Sequence, residues 1–262
     1  MMMLTYSELF AGAGGLSLGL DAAGFHAAAH AEIEPHARAV LRYRWPDTRL
    51  DGDVTKINGA DYRGITLLSG GSPCQDLSVA GKRAGLTGSR SSLFHEQCRI
   101  WRESNAPYLL WENVLGALSS NDGADFATVL STIVGSTVAV PSDGWGGGGG
   151  VVAGREAVAA WRVLDLQHFG PPQRRVRVFV LAARAGGVDP AEVLALGEGM
   201  CGHPSPRQQS REGVTAGTGS GAASGVAVEW DQEINAAEEL MGTLKARVLG
   251  GGHENGVLAF HH

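Results

Sequence analysis

The sequence predicts an α/β fold, a parallel sheet with helices on both faces, and three observations predict it. Short apolar runs rich in β-branched and aromatic residues alternate with longer stretches at helical spacing through most of residues 4–183. The first of these runs stops at a glycine turn, AGAGG, that opens directly into a helical pattern. A length of 262 residues with 44% apolar content is enough to bury a substantial core, and it fits one main domain.

Taken in order, LTYSELF (Leu4 to Phe10) is a strand, AGAGG the turn, and LSLGLDAAGF the helix that follows. HAAAHAEI reads as a second strand and PHARAVLRYRW as a helix opened by Pro35, whose missing N–H costs nothing at a first helical position. ITLLSGG is a buried strand that leads into GGSPCQDLSVAGKRAG, a loop holding a cysteine between proline and glutamine. SSLFHEQCRIWRES is helical, YLLWENV a strand and ADFATVLSTIV a helix. PSDGWGGGGG (141–150) reads as a loop, because glycine-rich sequence lacks the side chains to bury. WRVLDLQHFG and RVRVFVLAAR then read as two strands of a hairpin around GPPQRR, closing the sheet. Beyond Ala183 the composition turns to Gly, Ser, Thr and Pro, which places a boundary near 183–190 and weak order up to about Val226.

The charge balance is 21 basic to 27 acidic residues, net −6, with none of the basic excess of a protein that passively coats nucleic acid. A local basic surface on an enzyme remains compatible with it. The three cysteines, Cys74, Cys98 and Cys201, are odd in number and form no CxxC pair, so neither a disulfide framework nor a metal site is expected. No basic, apolar leader opens the chain and no uncharged apolar run reaches membrane-spanning length, so a cytoplasmic protein outside the membrane is expected.

The turn FAGAGGLSLG departs from the dinucleotide fingerprint. The third small residue of GxGxxG, counted from Gly12, would fall at Ser17. A nicotinamide reading therefore ranks last. Gly12, Gly14 and Gly15 still permit close backbone approach to a ligand lacking a pyrophosphate, with Phe10 against it, and an adenosine-bearing sulfonium suits that description. Glu32 ends the second strand about twenty residues on, where a carboxylate can accept the ribose hydroxyls. An isolated Glu there would be a solvated acid; its position relative to the turn favours the ligand. Asp53 in GDVT can reach an adenine amino group, against the commoner role of a turn-forming Asp.

An arbitrary cysteine is usually a small buried hydrophobe, and Cys98 and Cys201 keep that assignment. Cys74 differs. Pro73 and two glycines stiffen its exit from a strand, and ligands of open α/β sheets bind at the carboxyl ends of strands. Lys82, Arg83 and Arg90 supply positive potential favouring thiolate and phosphate alike. On the next strand Glu112 and Asn113 reach the same sheet end. Alone, Glu112 would be a salt-bridge partner; desolvated against Trp111 near a base, it would carry a raised pKa and act as an acid. Arg175 and Arg177 share a strand face by alternation, ordinarily a solvated face but here a clamp for a polar ring or phosphate.

FAGAGG, AEIE, GDVT, GGSPCQDLSVAGKRAG with SRSSLF, WENV and FGPPQRRVRVFVLA occur in this order, and together they resemble the DNA (cytosine-5)-methyltransferases, in particular those of bacteria and their viruses. The resemblance covers most of residues 5–183. It implies a Rossmann-like S-adenosylmethionine-dependent methyltransferase sheet with helices on both faces, a catalytic domain over 1–183, and a low-complexity linker with a partial target-recognition region over 184–262. By the same resemblance Cys74 attacks carbon 6 of a flipped cytosine and carbon 5 takes the methyl group. Glu112 holds and protonates the ring, Asn113 supports the site, and Arg175 and Arg177 steady ring and thiol. Phe10, Glu32, Ile33 and Asp53 contact S-adenosylmethionine, with Pro73 near its methyl end. The loop carrying Gln75, Ser78, Lys82, Arg83 and Arg90 closes over double-stranded DNA.

Two departures stand out. Glu8 replaces the Asp of the family's DLFAG. The family's RxTxxExxxxQGFP-type segment and its GN-containing helix do not occur before His262. Two further readings follow: an RNA cytosine methyltransferase acting on tRNA, and a subunit that works only with a complementing C-terminal chain.

Overall fold

The computed structural model describes residues 3–73, 93–146, 148–169 and 174–194. Within them the chain runs β1 (Thr5–Leu9), α1 (Gly15–Ala22), β2 (His26–Ala31), α2 (Pro35–Arg44), β3 (Arg49–Asp51), β4 (Leu67–Gly70), α3 (Leu93–Ser104), β5 (Tyr108–Val114), α4 (Ala124–Val134), β6 (Gly149–Ala153), β7 (Val158–Asp165), β8 (Val176–Ala183) and α5 (Pro190–Leu194). One eight-stranded sheet has the order β3-β2-β1-β4-β5-β8-β7-β6. The first five strands in that order are parallel neighbours. The sheet is completed by β8, β7 and β6, each antiparallel to its neighbour, so the expected hairpin lies at this end.

Local chemistry sets the helix boundaries. Pro35 opens α2 behind Glu34, whose carboxylate caps the helix by accepting from Ala37 N at 2.8 Å. Gly135 ends α4 in the left-handed conformation that only glycine adopts without strain. On α3, Phe94, Cys98 and Trp101 recur at helical spacing and bury one face.

The alternation of side chains across the sheet divides the core in two. Leu109, Trp111, Val178 and Val180 pack with α3 and α4 on one face. Tyr108, Leu110, Phe179 and Leu181 pack with Leu20 of α1 and Val193 of α5 on the other. Because α5 buries Val193 and Leu194, and Arg162 donates to Leu194 O at 2.6 Å, the packed chain continues through the composition change at 183–190.

The glycine run departs from expectation. Trp145, in its middle, is buried, donates Nε1–H to Gly123 O at 2.8 Å and meets Phe126 and Trp161 edge-on at 5.0 and 5.5 Å. Gly149 and Gly150 begin β6. A Cβ on Gly150 would stand 2.4 Å from the Trp161 ring, and one on Gly149 would stand 2.5 Å from the Trp161 carbonyl. Glycine is required here because the strand lies flat on an indole. Among the described residues no helix is long and apolar enough to cross a membrane.

Candidate active site

The chain leaves β1 for β2 and β3 on one side, then crosses back to β4 on the other. That reversal leaves a crevice at the carboxyl ends of β1 and β4, where open α/β sheets take their ligands. Pairing of Leu9 with Gly70, Gly70 with Trp111 and Val114 with Arg177 brings four segments to the same edge. They are the turn after β1, residues 71–73 after β4, the end of β5 and the start of β8. A cavity of about 230 Å³ opens there. Its wall consists of Phe10 to Ala13, Gly15 and Leu16 from the turn and α1, with Glu8 and Gly71. Glu112 of β5, Leu166, and Arg175, Arg177 and Phe179 complete it.

The turn is held in shape from below. Glu32 accepts from Gly12 N at 2.7 Å through one carboxylate oxygen and from Glu34 N at 2.7 Å through the other. Phe10 has φ 56°, a left-handed conformation costing about 1–2 kcal/mol for a residue with a Cβ. The cost is met by the ladder around it, which includes Ala11 N donating to Ala31 O at 3.1 Å. A Cβ on Gly12 would meet nothing within 4 Å, so that glycine leaves room at the cavity. Gly14 has a packing role that the sequence did not display. A Cβ there would stand 2.4 Å from the Trp45 ring, so packing of α2 under the turn requires it. No side chain caps α1, and its first turn, Gly15 and Leu16, lines the cavity with the positive end of the helix dipole.

On the opposite wall Glu112 Oε1 lies 3.0 Å from Arg177 Nε, both side chains largely buried. Gly71 is the residue that admits this carboxylate, since a Cβ there would lie 2.9 Å from Glu112 Oε2. Arg175 and Arg177 both face the cavity, the shared orientation that alternation predicts. The expectation that Trp111 desolvates Glu112 is overturned by that rule. Neighbours on a strand point to opposite faces, and Trp111 packs with Phe94 and Phe126 beneath the sheet. There it donates Nε1–H to Ser72 Oγ at 3.0 Å, and Asn113 donates Nδ2–H to Ser72 O at 2.9 Å. Both residues thus fasten the backbone just ahead of Pro73. Asn113 stands off the cavity wall, in a supporting position.

Ile33 is 71% exposed, next to Glu32, and Pro73 is also exposed; neither lines the cavity, nor does Glu32. Asp53 caps the single helical turn Val54–Lys56 by accepting from Thr55 N at 3.0 Å and Thr55 Oγ1 at 2.8 Å, bonds that hold its carboxyl below the ordinary value. Cys98 is fully buried, and desolvation pushes its thiol up to about 12, which keeps it protonated and unreactive. Cys74, Gln75, Ser78, Lys82, Arg83, Arg90 and Cys201 lie outside the described residues. Among the described residues no group of three His, Cys, Asp or Glu side chains is placed to hold a metal.

Sequence reasoning missed Ser17 and His30. Ser17 looked like an interruption of a fingerprint; it is fully buried, donates to Glu8 Oε2 and lies 2.8 Å from His30 Nε2. Burial pushes the His30 imidazole down to about 4, from about 6.5 when unfolded. Below pH 6.5 the unfolded chain takes up a proton that the folded chain refuses, so stability falls as pH drops from 6.5 to 4. Asp21, raised by burial, acts in the opposite direction, and a variant isolates the histidine. Urea denaturation at pH 7 and 4.5 is expected to show wild type losing roughly 2–3 kcal/mol more than His30→Gln.

A mixed sheet whose parallel strands reverse their winding between β1 and β4, with a glycine turn walling the crevice there, defines a Rossmann-like α/β fold. Spodoptera frugiperda DNMT2 in crystal form shares the fold at a TM-score of 0.50 and 20% identity, over 70% of this chain and 50% of that one. Residues 4–195 match the family described as C-5 cytosine-specific DNA methylase, and the chain belongs to that family. It is 36% identical over 192 residues to the type II methyltransferase M.Eco47II of Escherichia coli, covering 71% of this chain and 41% of that protein. It is 33% identical over 261 residues to the DNA N-6-adenine-methyltransferase of Escherichia phage P1, covering 85% of this chain and 34% of that protein. The chain therefore spans well under half the length of these relatives.

Proposed function

We propose that the chain transfers a methyl group from S-adenosylmethionine to carbon 5 of cytosine in double-stranded DNA, with Cys74 as the attacking nucleophile. The observation that carries this reading is the shared cavity: Glu112 and Arg177 stand on one wall and Phe10 with the glycine turn on the other. The cofactor fits what the turn offers. Gly12 leaves space for a ligand, the uncapped first turn of α1 suits a carboxylate, and Phe10 offers a ring face to the adenosine part.

S-adenosylmethionine supplies an electrophilic methyl group. Carbon 5 of cytosine is a poor nucleophile until a thiolate adds at carbon 6, and that is the task of Cys74; after methyl transfer a base takes the carbon-5 proton, which expels the sulfur from carbon 6 and restores the ring. Electron density moved into the ring by this addition needs a proton or a positive partner at the ring nitrogen, which Glu112 supplies with Arg177 beside it. Arg175 offers a second planar cation at the same wall. The target atom is stacked inside a duplex, so the base must leave the helix to reach the cavity. An adenine amino group carries its own lone pair and requires no thiol, so the cysteine, carboxylate and arginine set favours cytosine over the N6 chemistry named for the phage P1 relative.

The test is transfer of labelled methyl to duplex DNA by the full chain, followed by nucleoside analysis. 5-Methylcytosine is the expected product; N6-methyladenine, or transfer only to tRNA, would overturn the substrate assignment. The chain's short span of its relatives motivates one additional arm, in which a chain bearing the GN-helix segment is added. Activity confined to that arm would identify a complementing subunit.

A further inference from the structure

The polar groups buried beneath the glycine turn form a connected chain. Glu8, in β1, lines the cavity yet is only 4% exposed, and Ser17, on the first turn of α1, donates its single hydroxyl proton to it. With that proton committed, Ser17 Oγ accepts from His30 Nε2–H in β2, 2.8 Å away, so the neutral imidazole carries its proton on Nε2. Tyr6 meets the His30 ring edge-on at 6.2 Å and Trp45 covers it at 4.9 Å. Asp21 accepts from both Tyr6 Oη, at 3.0 Å, and Trp45 Nε1, at 2.6 Å, which closes the surround. Three elements, β1, α1 and β2, thereby converge on one carboxylate that faces the cavity.

A buried carboxylate, hydroxyl and imidazole are costly to desolvate, and a purely structural joint between strand and helix would be made more cheaply from apolar groups. The arrangement fixes where the Glu8 carboxylate stands relative to Gly12 and Gly15. We propose that Ser17 and His30 are positioning residues for the cofactor: they aim Glu8 and the first turn of α1 at S-adenosylmethionine, whose sulfonium and ammonium groups a negative wall favours. The inference rests on the cofactor reading given under Proposed function.

The test measures S-adenosylmethionine affinity of the full chain by calorimetry, at a temperature where circular dichroism shows every variant folded. Ser17→Ala and His30→Leu are each expected to weaken binding about tenfold. His30→Gln, whose amide can restore a donor near Nε2, is expected to stay within about threefold of wild type. The double variant is expected to be no weaker than either single one, because both act on the same carboxylate. Nitrogen NMR of the His30 ring, expected to show a protonated Nε2 and a bare Nδ1 at pH 7, provides a readout that needs no variant to fold. A bare Nε2 would overturn the proposal. So would wild-type binding matched by both Ser17→Ala and His30→Leu, whatever their melting temperatures. Wild type that binds no S-adenosylmethionine would overturn the cofactor reading and this proposal together.

Discussion

Replacing Cys74 with alanine is expected to reduce methyl transfer by at least about 10⁴-fold while leaving S-adenosylmethionine affinity within about threefold of wild type. The asymmetry follows from what each wall of the cavity does. Phe10, Gly12 and the first turn of α1 line the wall proposed to bind the cofactor, and the variant leaves that wall unchanged. On the proposed mechanism the Cys74 thiolate makes no comparable contribution to affinity; its part is to supply the electrons that turn carbon 5 into a nucleophile. Its role can be read directly with duplex DNA carrying 5-fluorocytosine. The sulfur bonds to carbon 6, carbon 5 takes the methyl group, and the fluorine cannot leave as a proton does, so the adduct persists. Wild type is expected to show a protein–DNA band stable to denaturing electrophoresis, and Cys74→Ala none. Transfer by Cys74→Ala at a rate near that of wild type would remove the covalent mechanism. Turnover by wild type without an adduct would show that the sulfur is not the attacking atom.

Much of the fold was legible because it is written in local periodicity. YLLWENV and ADFATVLSTIV coincide with β5 and α4, and Pro35 marks the start of α2. Strand β3 escaped because three residues, Arg49–Asp51, carry no readable period, and β6 escaped because its glycines answer to Trp161, a residue on the neighbouring strand. The site divides in the same way. Alternation along the extended chain entering β8 places Arg175, just ahead of the strand, and Arg177, within it, together on the cavity wall, a relation carried within a few residues. Alternation along β5 also turns Trp111 away from Glu112, a consequence of the same rule that was not drawn from WENV. The seating of Gly14 on Trp45, the hold of Trp111 and Asn113 on Ser72, and the link from Glu8 through Ser17 to His30 join residues from separate elements. Such contacts exist only once the sheet has assembled, and no window of sequence displays them.

Glu112→Gln is expected to lower methyl transfer by about 10²–10³-fold with little change in stability or in apparent DNA affinity. The substitution preserves shape. A Gln carbonyl can accept from Arg177 Nε as Glu112 Oε1 does at 3.0 Å, and the amide group still fits against Gly71 where a Cβ would not. What disappears is the negative charge and the ability to hand over and recover a proton. In the ground state that loss is small, because the ring of an unreacted cytosine can still be hydrogen-bonded by an amide. On the proposed mechanism it is large in the transition state, because addition of the thiolate at carbon 6 places charge on the ring nitrogen that a carboxyl can neutralise by proton transfer and an amide cannot. The effect should therefore fall on kcat and spare KM for DNA, the pattern of an interaction made only as the reaction proceeds. Single-turnover transfer and equilibrium DNA binding, measured side by side, separate the two. Transfer within about fivefold of wild type would show that Glu112 is a salt-bridge partner of Arg177 and no acid. A loss of DNA affinity equal to the loss of rate would show that it binds the base without promoting the reaction.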